Sequence, residues 1–459
     1  MAEHPEEPRW LMELRSRGEE SYRNLPEETS PLYVKHHVPF SQEIASAEWT
    51  EEPSGRNVVP ERFRALEESE EVVALHVDAT PVLVRVPESY GRLGVVALPL
   101  REALSRSEDE VRRWLLEGPT RPEESSLIGY ALSRLNAGVL VKVPPGIEEE
   151  VRVRSIWAGE AERQLTSAFT LVVVGDGSAV SVTEEYHSLD GGANLTSNLV
   201  HVIAGNGSRV RYAVLDSSSE RSVRMSFNKV VLGKDANSKW VGALLGGRAL
   251  KYRIDNILAG QGSRADALKV VLAGGTQKFD VTLNLRHEGP DTTGRVNAKG
   301  IGADRSRVLF KGIIRIERPA KNSGAYLAEH AMLLSPDARA DAIPGLEIET
   351  DNVKATHSAS VAQIDPEQLF YLMSRGISRE EAVKSIALSF FEPVIQEIDV
   401  AEVRWGMRYL LERKWHGAEA EEIDPIRIIE SYIEPETVGR SPEDIFGTHY
   451  KAFYYKRAR

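Results

Sequence analysis

From Val139 to about Ile364 the chain is written in short apolar runs of four to six residues, rich in β-branched side chains and broken by Gly, Asn, Asp and Ser. Leu171–Val174, Leu199–Ile203, Val230–Leu232, Val270–Leu272 and Val308–Ile316 are examples, and little helical period runs through them. In Phe279-Asp-Val281-Thr-Leu283-Asn-Leu285 apolar and polar residues alternate strictly, as a strand with one buried face requires. A turn motif returns at Gly175-Asp-Gly-Ser178, Gly205-Asn-Gly-Ser208 and Gly260-Gln-Gly-Ser263, at offsets of 30 and then 55 residues. Short strands with turns at similar places in successive rungs describe a β-solenoid. A β-sandwich shares the strands and the Gly-rich turns, but more than 200 residues of this texture without a long helix favour the solenoid. Its open ends would be templates for edge pairing, and helical segments on both sides would cover them.

The flanks read differently. Trp10, Leu11, Leu14 and Tyr22 recur at mixed three- and four-residue spacings and predict a helix to Asn24, with further helical patterns at Arg101–Glu117 and Leu127–Asn136. Between them Pro26, Pro31, Pro39, Pro53 and Pro60 make an extended surface segment. After the strands, Asp365 caps a short helix with Pro366 at its first position and Gly376 ending it. Ser378 and Glu381 form a capping box for the next helix, which Pro393 interrupts. Weaker helical patterns follow at 401–415 and 425–433, then a basic, aromatic tail from Tyr450 to Arg459. The expected organisation is a helical and irregular N-terminal domain (1–138), a β core (139–364) and a C-terminal helical domain with an extension (365–459).

Composition narrows the chemistry. A formal net charge of −12 repels a polyanion at long range, so nucleic acid is not expected as a partner. The acidic start MAEHPEEPRW lacks an apolar leader core and no apolar run approaches the ~18 residues of a membrane span, so the expected location is the cytoplasm, with no membrane partner. The chain has no cysteine, which excludes disulfides, thiol nucleophiles and any cluster held by its own thiolates. Neither His-Glu-x-x-His, Gly-x-Ser-x-Gly nor Gly-Lys-Ser/Thr occurs, and the Gly-x-Gly-Ser loops feed strand-like runs where nucleotide loops feed helices. ATP, if used, must be bound by another protein. The remaining polar concentration lies between 329 and 358, with Glu329, His330, Asp337, Asp341, Glu347, Glu349, Asp351 and His357. Carboxylates with imidazole can bind iron or zinc, while the alternative is a set of solvated strand edges and turns.

The stretch Pro344-Gly-Leu-Glu-Ile-Glu-Thr-Asp-Asn-Val-Lys-Ala-Thr-His357-Ser-Ala, continuing to Leu369-Phe-Tyr-Leu-Met-Ser-Arg-Gly-Ile377, resembles the most characteristic segment of the SufB/SufD family of iron–sulfur cluster assembly scaffolds. Asn322–Leu334, Ala338–Asp341, Leu244–Gly247 and Pro8–Arg15 extend the likeness, which is strong over about 240–395 and absent from about 416 onwards. The resemblance implies a mainly β fold, a right-handed parallel β-helix between helical N- and C-terminal domains. It implies a non-catalytic subunit that holds no cofactor tightly by itself and shares a nascent cluster with a partner, in complex with the ABC-type ATPase SufC and a second scaffold subunit.

By the same resemblance His357 occupies the family's His position and would lie at the scaffold dimer interface as a cluster ligand, with Glu349 and Asp351 as auxiliary candidates. Ile348 stands where SufB-type members carry the cysteine thought to hold the cluster, and Ser358 where they have Glu, so the chain is SufD-like and needs a cysteine-bearing SufB-like partner. The alternative is a homodimer that binds iron through carboxylates and His357. Phe370, Tyr371 and Arg375 would anchor the ATPase, or else the two aromatics pack the end of the β-helix. Two other functions compete: a β-helix carbohydrate enzyme of the polysaccharide lyase type, and an adaptor for an ABC ATPase with no metal role.

Overall fold

The computed structural model describes residues 7–51, 55, 58–189 and 191–416. Sixteen strands, from Ala137–Val143 to Lys354–Gln363, alternate between two sheets, and each pairs in parallel with the strand two places along the chain. The result is a parallel β-solenoid of about eight coils, as the strand texture predicts. Its registers run without a slip: Val223–Leu232 pairs residue for residue with Leu195–Ala204 on one side and Ala249–Leu258 on the other.

The irregular spacing of the turn motif has a simple cause. One non-helical turn per coil holds a residue in the left-handed region, at Gly177, Gly207, Asp235, Gly262, Asp291 and Asn322, at intervals of 27 to 31 residues. Asp and Asn tolerate that region when their short side chain can bond locally, so the Gly-x-Gly-Ser signature lapses where they replace Gly. The backbone N–H at each of these positions donates to the corresponding turn of the next coil, as in Gly207 to Lys234 O at 2.7 Å and Asp291 to Lys321 O at 2.8 Å.

Inside, alternate residues of both sheets make one core, with Tyr212 stacked on Trp240 at 3.9 Å between ring centroids and Phe279, Val281, Leu283 and Leu285 facing inward. The outer faces are covered by the two ends of the chain. The helices Arg9–Asn24, Leu100–Arg106, Glu108–Leu116 and Ser126–Ser133 pack on one sheet over Leu199, Met225 and Phe227. Arg379–Ile395 and Ala401–His416 pack on the other over Leu215, Val241, Leu268 and Val270, through Phe391, Val394, Met407 and Leu411. Residues 26–45 of the proline-rich segment cross the outer face of the first sheet as a strap. Glu28 pairs with Lys311 at 2.9 Å, and the Val38 N–H donates to Asp280 Oδ2 at 3.2 Å, so the polar face of the alternating strand is itself buried.

Three expectations change. Among the described residues helices do not cover the ends of the solenoid. Its N-terminal end is closed by strands, Thr80–Arg85 antiparallel to Val72–Val77 and Val96–Pro99 antiparallel to Ala137–Val143, the first three of which lie outside the expected β core. Most strands are nine or ten residues long, where four to six were read, because polar residues that point inward interrupt the apolar run. Pro393 does not break its helix, which continues to Ile395; it falls in the last turn and the helix ends two residues later. The pattern at 425–433 and the tail at 450–459 lie outside the described residues. Among the described residues no helix is long and apolar enough to cross a membrane.

Candidate functional site at the open end of the solenoid

The last two strands, Arg339–Ile348 and Lys354–Gln363, each pair on one side only, with Arg307–Ile316 and Gly324–Leu333. Among the described residues nothing covers their other edges, so both sheets end in a row of unpaired backbone groups about ten residues long. Their inner faces carry Ala340, Ala342, Pro344, Leu346 and Ile348 from one sheet and Ala355, His357, Ala359, Val361 and Gln363 from the other, in register with inward residues of the coil below. Leu346, Ile348 and Val361 are large apolar side chains left exposed, Ile348 at 43%. Unpaired edges beside exposed apolar groups are a surface that a monomer avoids and a partner covers.

His357 is exposed on this inner face, in register with Leu327. Glu349 lies in the turn after the penultimate strand with its carboxylate 3.5 Å from Arg315, and Asp351 is exposed in the same turn. The polar residues that sequence places close together are dispersed by the fold. His330 points outward and shares a hydrogen bond with Ser360 at 2.7 Å, Asp341 pairs with Arg339 at 2.9 Å, Glu347 faces Arg315, and Asp337 is exposed. Among the described residues no group of three or more His, Asp or Glu is gathered as a metal cage.

Glu329 is the exception. It alternates with Ala325, Leu327 and Ala331 of the core, is fully buried, and neither carboxylate oxygen has a hydrogen-bond partner. Burial pushes its carboxyl up to about 8. Strand alternation was the signal that could have found it, since Ala325, Leu327 and Ala331 set the inner face and 329 falls on it.

The helix Pro366–Ser374 begins three residues after the last strand. Asp365 caps it by accepting the Glu367 N–H at 2.9 Å, and Gly376, at φ +89°, supplies the left-handed residue beyond its end. None of its residues is buried: Phe370 is 73% and Tyr371 56% exposed, with the Arg375 guanidinium 5.1 Å from the Tyr371 ring centroid. The two aromatics therefore do not pack the end of the solenoid.

Residues 157–390 match the family model described as SUF system FeS cluster assembly, SufBD core domain. The iron–sulfur cluster assembly protein SufD of Bacillus subtilis (strain 168) is 27% identical over 90% of this chain and 96% of its own length. SufB of the same organism is 25% identical over 90% and 91%, and a SufBD family protein of Staphylococcus saprophyticus 23% over the same shares.

Proposed function

The chain belongs to the SufBD family of iron–sulfur cluster assembly proteins, and from that premise we propose that it is the cysteine-free, SufD-like half of a scaffold whose other half carries the thiolates. The observation that carries this reading is the uncapped last coil, which unites two free sheet edges, exposed apolar side chains and His357. A SufB-like solenoid ending in the same way would extend both sheets across the junction and bury the apolar residues of both chains. His357 then faces that junction, where neutral imidazole is an acceptable iron ligand, with Glu349 and Asp351 within the same turn-and-strand segment. Ile348 has no lone pair for iron or sulfur, so thiolate ligands come from the partner and the nascent cluster is shared between chains rather than held here.

A SufC-like ABC ATPase would dock on the exposed helix through Phe370, Tyr371 and Arg375, residue types common among interface anchors. Only Ile364 and Asp365 separate that helix from the strand bearing His357. A displacement of the helix when ATPases close on nucleotide is thereby transmitted to the edge of the junction, coupling hydrolysis in the partner to exposure of the assembly site. The chain itself contributes position and ligand, not catalysis, and the complex works in the cytoplasm.

Co-expression with SufB-like and SufC-like proteins, followed by anaerobic reconstitution with iron and sulfide, tests the reading. We expect a complex containing all three chains that holds a cluster, and no stable cluster on this chain by itself. A cluster that survives desalting on the isolated chain without added thiol would overturn the heteromeric assignment and favour a homodimer. Failure of a folded chain to associate with either protein would remove the scaffold reading.

A further inference from the structure

Glu329 has a place beneath the open coil that its burial alone does not explain. It pairs in register with Ala298 on the coil below and Ala359 on the last coil, so small side chains flank it along the column. Across the interior Gly312 leaves room for it: a Cβ there would stand 3.0 Å from Glu329 Oε1 and would collide with the Leu327 side chain. The last coil places Ala342 and Pro344 on one wall and Ala355 and Ala359 on the other, in register with Phe310, Gly312, Ala325 and Glu329 below them. A core built for packing alone would put a large apolar side chain at 329, where an unpaired carboxylate is costly. Instead the fold keeps the carboxylate and reduces what surrounds it.

The nearest inward polar side chain on the last coil is His357, two residues before Ala359, the partner of Glu329. Strand spacing of about 4.8 Å and a rise of about 3.3 Å per residue put the two Cα atoms roughly 8 Å apart on one face. A carboxylate and an imidazole at that separation can both reach one metal ion, with bonds of about 2.0–2.2 Å on each side as for zinc.

We propose that Glu329 and His357 together form a two-ligand site for a divalent metal ion in the mouth of the solenoid, ferrous iron being the ion that the assembly reading supplies. The assignment rests on that reading only for the identity of the metal. Glu329 provides a hard oxygen donor and His357 a borderline nitrogen donor, a set that suits ferrous iron, cobalt and zinc more than magnesium or calcium. The remaining positions stay open to sulfide, water or a partner's ligand, so the ion enters from the open edge and is held there before a second chain closes over it.

The purified full-length chain, alone and anaerobic, is titrated with Co(II), whose visible d–d bands report coordination. We expect one Co(II) per chain, bound at least tenfold more weakly in Glu329→Gln and in His357→Asn, and no bound Co(II) in the double variant, which keeps neither ligand. Since Glu329 has no hydrogen-bond partner to lose, Glu329→Gln is expected to fold, and Glu329→Met gives the same readout if it does not. Binding by either folded Glu329 variant equal to the wild type overturns the site, as does a wild-type uptake of two Co(II) per chain of which each single variant loses one, which indicates separate ions. Because no partner chain is present, these outcomes are independent of whether the scaffold complex forms.

Discussion

Lys269 occupies the same inner column as Glu329, two rungs away through Ala298, and it is fully buried with Nζ 3.3 Å from the Trp240 carbonyl oxygen and 5.3 Å from the Tyr252 ring centroid. Burial holds its amine well below the usual lysine range. Gly242 beside it makes the space, since a Cβ there would approach Lys269 Cδ to 3.1 Å. A desolvated amine with one long hydrogen bond is a poor use of core volume, so Lys269→Met, similar in length and apolar, should raise stability by about 1–3 kcal/mol. Thermal melting of the isolated chain at neutral pH checks this; a lower melting temperature would mean that the amine's interactions outweigh its desolvation. Lys269 and Glu329 also show where the sequence was hard to read. Each is a charge set among Ala, Leu and Val that reads as an outward-facing residue, and strand alternation, held by pairing with partners some thirty residues away, turns it inward. Only a motif marks His357 as a candidate, whereas the inward placement of Glu329 was legible by alternation, and grouping it with its polar neighbours hid that.

At the scale of elements, local signals told most where the chain bonds to itself nearby. The caps at Asp365 and Ser378 and the stop at Gly376 form as their residue types dictate, because a cap needs only three or four residues. Strand length was the weakest point. Val223–Leu232 contains Arg224, Ser226 and Asn228 on its inner side, so its continuous apolar run begins only at Val230. Those groups are paid for inside the solenoid, with Arg224 3.2 Å from Asp216 and Asn228 Nδ2 donating to the Arg253 carbonyl at 2.8 Å. The helix Pro366–Ser374 makes a sharper case, since it is apolar by composition yet buries none of its residues. Phe370→Ala should therefore change the stability of the isolated chain by less than about 0.5 kcal/mol, as surface substitutions do. The same substitution should weaken SufC-like ATPase capture at least tenfold, as loss of an aromatic anchor would. Denaturant unfolding and a pull-down on one preparation separate the two effects; a large stability loss would contradict the exposure, and unchanged capture would place the ATPase elsewhere.

Over the whole molecule the buried titratable groups set opposing pH trends, and the balance between them can be worked out. Burial lowers His76 and His287 to about 4 and His201 to about 3. These imidazoles stay neutral in the folded chain while the unfolded chain takes up protons below about pH 6.5, so each removes stability as the pH falls from there towards its folded value. Burial acts oppositely on carboxyls, raising Glu184 to about 7 and Glu329 to about 8. The folded chain keeps these protons while the unfolded chain loses them above about pH 4.5, so both groups remove stability as the pH rises through that window. Above about pH 6.5 the carboxyls favour acidification, but Lys269, neutral when folded and protonated when unfolded, opposes them, so their trend is read in the Lys269→Met background. Below it three imidazoles outweigh two carboxyls. Below about pH 4.5 the carboxyls are protonated in both states and stop offsetting them, while Asp280 and Glu28, held below the usual range by Lys251 and Lys311 despite their burial, begin to lose their ion pairs. The metal-free Lys269→Met chain should thus be most stable near pH 6.5 and lose stability steeply below about pH 4.5. Urea unfolding from pH 4 to 9 with chelator present maps the curve. Glu329→Gln should flatten the alkaline limb, by about 2 kcal/mol between pH 6.5 and 8, while leaving the loss below about pH 4.5 in place. A maximum at or above pH 8, or an alkaline limb unchanged in that variant, would show that the interior is better solvated than the packing of the solenoid implies.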